Sequence, residues 1–73
     1  MGKLGNISGK DAVKAFEKAG WLMRGQVGSH RILTKLGERS NLTVPMHAEL
    51  KQGLLRALIK MAGLTVDEFL ALL

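Results

Sequence analysis

The chain has no cysteine, which rules out both a disulfide framework and a thiolate metal site as supports for a small fold. Its two histidines are too few for a zinc cage. The six Asp and Glu residues are scattered, so the paired carboxylates of a glycosidase or a carboxylate-bound metal are not expected. No window is apolar over the length of a membrane span. The first ten residues contain two lysines and no apolar run, unlike a secretory signal, and Asn6 stands where a myristoylation pattern needs serine or threonine. The expected compartment is the cytoplasm. Internal repeats and low-complexity tracts are also missing.

What is present suits one small domain over residues 1–73, with no room for a second lobe. Apolar residues make up 47% of the chain, enough for one core. Eleven Lys and Arg against six Asp and Glu leave a net charge of +5, a strong positive field for this size. Polyanions are the natural partners, and charge alone does not separate nucleic acid from an acidic protein.

Ser8 is placed to cap a first helix, with Asp11 where a carboxylate reaches back to the cap, and Gly20 closes the helix. Ala12, Phe16 and Ala19 share one face with Val13 and Ala15 at its margins, while Lys10, Lys14 and Lys18 recur on the other. That lysine stripe reads either as a phosphate-binding face or, with Glu17 beside it, as an ordinary solvated one. Residues 21–27 lack helical period and contain Gly25, so they predict a strand ending in a bend. Trp21 reads as a core anchor at the corner ahead of a base-stacking platform.

Residues 29–35 favour a second strand that puts His30, Ile32 and Thr34 on one face and Arg31, Leu33 and Lys35 on the other. The pattern does not say which face is wet. Residues 36–39 form a turn around Gly37, residues 40–44 a third strand, and Pro45 is expected to end the pairing. A polar connector over residues 46–52 carries His47. A second long helix is predicted over residues 53–62, with Leu54, Leu55, Leu58, Ile59 and Ala62 inward and Gly63 as its cap. Thr65 and Glu68 form a capping box that opens a short terminal helix through Phe69. The expected architecture is α+β: helix, three-stranded antiparallel meander, helix and a short extra helix, in two layers with one sheet face uncovered.

His30, beside the glycine turn Gly28-Ser29, is the candidate acid or base. Imidazole ordinarily titrates near ~6.5, so it can take a proton from a ribose 2′-hydroxyl or give one to a leaving oxygen. Charge on the phosphorane would be met by Arg24, Arg31, Lys35 or backbone amides around Gly28 and Ser29. On the residues alone, catalytic and structural roles for His30 both stay open. His47 reads first as a helix-entry residue and second as an auxiliary acid or base. Ser29 and His30 are not a nucleophile–base pair, because neighbouring strand residues point to opposite faces.

Ser8-Gly9-Lys10, Phe16-Glu17-Lys18-Ala19-Gly20-Trp21, Gly28-Ser29-His30, Thr43-Val44-Pro45 with His47, and the run Leu54-Leu55-Arg56-Ala57-Leu58-Ile59-Lys60-Met61-Ala62-Gly63-Leu64 together resemble the HicA family of toxin messenger-RNA interferases. Met46 stands where related chains often carry a basic residue. The resemblance implies a fold like the double-stranded RNA-binding domain and places His30 at the family's catalytic histidine. It also implies a ribosome-independent endoribonuclease acting on messenger RNA, and a HicB-type antitoxin that covers His30; the transesterification itself needs no metal, and no cofactor is expected. Lys10, Lys14, Lys18, Arg24, Ser29, Arg31 and Lys35 are the expected RNA contacts. Two other readings compete: a non-catalytic RNA-binding module, and an interaction protein whose basic surface meets an acidic partner.

Overall fold

Ser8 has an extended backbone, and its hydroxyl oxygen accepts the Asp11 amide at 3.0 Å, so a helix begins at the next residue. The computed structural model describes residues 4–73 and runs α1 (Gly9–Lys18), β1 (Leu22–Val27), β2 (His30–Thr34), β3 (Leu42–Pro45), α2 (Gln52–Met61) and α3 (Val66–Leu72). Residues 1–3, part of the stretch read above against a secretory leader and a myristoylation site, lie outside the described residues. The three strands form one antiparallel sheet in the order β1-β2-β3. The result is the expected α+β architecture, consistent with a double-stranded RNA-binding-domain type of arrangement extended by α3.

The local signals act as physics requires. Gly20 (φ 104°) and Gly63 (φ 79°) take the left-handed conformation that ends α1 and α2. At α3 both arms of the capping box form: Thr65 Oγ1 accepts the Glu68 amide at 3.1 Å, and Glu68 Oε1 accepts the Thr65 amide at 2.8 Å. At α1 the only arm is the one made by Ser8, because aspartate is a methylene shorter than the glutamate that closes such a box.

Every residue predicted to face inward from α1 is buried or, for Ala19, half-buried. The core joins these to Trp21, Leu33, Leu42, Val44 and the inner face of α2. α3 closes it: the Phe69 ring lies 5.2 Å from that of Phe16, tilted by 46°. Trp21 is 1% exposed, so it is the core anchor and not a stacking platform; its Nε1 has no hydrogen-bond partner.

Several boundaries differ from the sequence reading. Trp21 precedes β1 because its amide donates to the Phe16 carbonyl at 3.1 Å, extending the end of α1. Leu54 is exposed, since α2 turns only Leu55, Leu58 and Ile59 inward. Leu50, in the connector read as polar, is buried, and with it Leu4 and Ile7; the Leu50 amide donates to the Ile7 carbonyl at 2.8 Å. Pro45 ends the register pairing from inside the strand, one residue later than expected. It pairs with His30 as the last residue of β3, and the next amide, Met46 N–H, donates to the Ser29 carbonyl at 2.6 Å.

Gly9 is the point where the helical layer meets the sheet end. Its amide donates to the His47 carbonyl at 3.0 Å, and a Cβ built there would overlap the Pro45 carbonyl oxygen. Gly9→Ala is therefore expected to cost about 1–3 kcal/mol in urea denaturation. Gly53→Ala, facing open space inside α2, is expected to gain about 0.5 kcal/mol. Equal effects would contradict the close approach at Gly9. Thr65→Ala is expected to lose about 1 kcal/mol through the α3 cap, read by the same titration.

Candidate active site at the β1–β2 turn

Two residues, Gly28 and Ser29, connect β1 to β2. Gly28 has φ 59° and Ser29 has no positive φ, the pattern of a type II′ hairpin turn, whose first central position favours glycine. His30 is the first strand residue after this turn and is exposed. Its imidazole has no hydrogen-bond or ion-pair partner among the described residues, so both ring nitrogens are available for proton exchange.

The buried Leu33, Leu42 and Val44 mark the helix-covered face of the sheet, which puts His30, Ile32 and Thr34 on the open face. Antiparallel partners share a face, so the register sets Val27, His30 and Pro45 side by side. Leu22 and Val27 on the same strand pair are 63% and 68% exposed, and no helix packs substantially on β1. His30 therefore sits at the rim of an uncovered, partly apolar sheet face. The sequence could not show this, because the alternation in β1 and β2 carries apolar residues on both sides.

The turn is tied down from two directions. Met46 N–H donates to the Ser29 carbonyl, which brings the chain leading to His47 beside the turn. The Gln26 side chain donates Nε2–H to the Gly28 carbonyl at 2.9 Å and accepts Arg31 Nε–H at 3.2 Å. Both carbonyl oxygens of the turn are thus occupied by donors. Ser29 on the turn is exposed, and Arg31, the second residue of β2, is half-buried and shares the face of Leu33 and Val44, opposite to that of His30.

The remaining cations lie elsewhere. Arg24 is exposed at the irregularity between Met23 and Gly25, where the register with β2 shifts. Lys35 follows the other end of β2, about 16 Å along the strand from His30, and its Nζ donates to the Ala19 carbonyl at 3.1 Å, at the negative end of α1. Lys10, Lys14 and Lys18 are exposed on α1, in the helical layer. Gly9 fixes the start of that row at the His30 end of the sheet, and Ala19 with Lys35 fixes its finish at the other. The lysines form a rail along the domain, not a ring around His30. His47 is exposed, with its carbonyl engaged by Gly9.

A groove of about 340 Å³ is lined by Asn6, Ile7, Asp11, Lys14, Lys18 and the end of α3, away from His30. Neither His30 nor the Gly28-Ser29 turn lines it. Among the described residues no three His, Asp or Glu side chains converge as a metal-binding group. No helix is long and apolar enough to cross a membrane, among the described residues. Sequence reasoning overlooked Gln26, because a lone glutamine in a strand gives no signal until its partners across the turn are known.

The family model described as HicA toxin of bacterial toxin-antitoxin matches residues 9–64, which span α1, all three strands and α2. No match to a curated protein accompanies it. The chain belongs to the HicA toxin family of bacterial toxin–antitoxin systems.

Proposed function

We propose that this toxin is an endoribonuclease that cleaves messenger RNA by internal transesterification and so halts translation and growth. The observation that carries the reading is an exposed, unpartnered His30 on the Gly28-Ser29 turn of a HicA chain. The ribose 2′-oxygen attacks the adjacent phosphorus as the bond to the 5′-oxygen breaks. His30 takes the 2′-hydroxyl proton or delivers one to the departing 5′-oxygen. The products are a 2′,3′-cyclic phosphate and a 5′-hydroxyl, and no metal enters the step.

Charge developing on the phosphorane is met by donors around Ser29, while Arg31, which faces the other side of the sheet, holds the RNA backbone where it rounds the turn. The rail of Lys10, Lys14 and Lys18 draws in the RNA backbone, with Arg24 and Lys35 adding to the field. His47, next to the turn through the Met46 contact, is the auxiliary proton carrier. The whole chain acts as one ribonuclease domain in the cytoplasm, without cofactor.

Its partner is a HicB-type antitoxin that covers His30. The bare face that runs from Val27 beside His30 to Leu22 at its far end, in a chain of net charge +5, suits an acidic protein with apolar anchors. Covering Val27 covers its cross-strand neighbour His30 as well.

The test is RNA cleavage in the presence of a chelator by the toxin and by His30→Ala. The variant is expected to lose cleavage by at least about 100-fold, to keep its circular dichroism and to lose growth inhibition. Equal cleavage by both proteins would exclude His30, and a misfolded variant would make it structural. Intact RNA with salt-sensitive binding by both would favour the non-catalytic RNA-binding module. Replacing Lys10, Lys14 and Lys18 by Gln is expected to flatten the dependence of log affinity on log salt by about 0.7 per lost phosphate contact on single-stranded RNA.

A further inference from the structure

The Gln26 carboxamide can be oriented in only one way. The Gly28 carbonyl only accepts and Arg31 Nε–H only donates, so the nitrogen must face the first and the oxygen the second. One exposed side chain therefore joins β1, the turn and the first arginine after it. Gln26 and Arg31 are also direct partners in the register of β1 with β2, so the bond runs straight across the hairpin.

We propose that Gln26 is a positioning residue of this toxin, bracing the Gly28-Ser29 turn and holding the Arg31 guanidinium near the same end of the hairpin as His30 but on the opposite, helix-side face, where it engages the RNA backbone rather than the reacting phosphate. The inference rests on the ribonuclease reading and adds to it a residue that touches no substrate. Its physical content is twofold. An arginine side chain is long and has many rotamers; fixing Nε removes most of that freedom before RNA arrives. With Nε engaged, the two terminal nitrogens have no partner among the described residues and are left to meet phosphate oxygens as a fork. At the same time the Nε2–H on the Gly28 carbonyl neutralises an oxygen that would otherwise repel the phosphate, as Met46 does for Ser29.

Gln26 is exposed, so its replacement leaves the core untouched. The experiment is a double-mutant cycle on RNA cleavage with the toxin, Gln26→Leu, Arg31→Ala and the double variant. Gln26→Leu is expected to lower kcat/KM about tenfold with an unchanged melting temperature. In the Arg31→Ala background the same change is expected to have less than about a twofold effect, because its target is gone. Equal losses in both backgrounds would overturn the proposal, since a merely structural glutamine acts alike with or without Arg31. NMR supplies a readout independent of cleavage: the Arg31 Nε–H signal is expected to be slowed in exchange in the wild type and fast in Gln26→Leu. Identical exchange in the two would also overturn it. An inactive wild type that keeps the Nε–H protection would sink the ribonuclease reading while leaving the brace intact.

Discussion

The backbone of Gly9 lies so close to the Pro45 carbonyl that no side chain fits between them, and the rest of the molecule is arranged around that contact. It docks the first turn of α1 on the end of β3. The Gly9 amide holds His47, Met46 holds Ser29, and Pro45 stands opposite His30 in the sheet. A chain of backbone contacts thus runs from the start of the lysine-bearing helix to the turn that carries the histidine. Backbone contacts need no side-chain ordering, which suits a chain too small for a large core.

This anchoring leaves the two layers with different surfaces. The helical layer presents cations along α1, while the open face of the sheet presents His30 beside Val27, with Leu22 at the far end of the same strand pair. Apolar aliphatic side chains give a nucleobase no ring to stack on, whereas they give a protein partner something to bury. In the proposed function one end of the domain serves both: RNA reaches His30 from the cationic side, and the antitoxin seals the open face. The core is held from beneath by α3, whose Phe69 packs on Phe16, so the terminal helix belongs to the fold.

Much of this was legible in the sequence because it rests on local rules. Ser8, Gly20, Gly63 and the Thr65–Glu68 box mark helix ends through residue chemistry that acts within a few positions. The inner face of α1 follows from its period. What could not be read depends on distant partners. Leu4, Ile7 and Leu50 are buried in irregular segments with no period to reveal them. Leu54 fits the apolar stripe of α2 by spacing, yet the helix meets the core only with Leu55, Leu58 and Ile59. At the candidate site, His30 was found through its glycine turn, but the wet face of β2 and the engagement of Lys35 with Ala19 required the register and the packing.

In the proposed function the 2′-hydroxyl of the RNA is the nucleophile and a histidine, without metal, moves the protons. The most direct measurement is the chemical identity of the RNA ends left by the purified toxin with chelator present. The expected ends are a 2′,3′-cyclic phosphate on one fragment and a 5′-hydroxyl on the other. Fragments ending in 3′-hydroxyl and 5′-phosphate would show attack by water instead, and would contradict that mechanism.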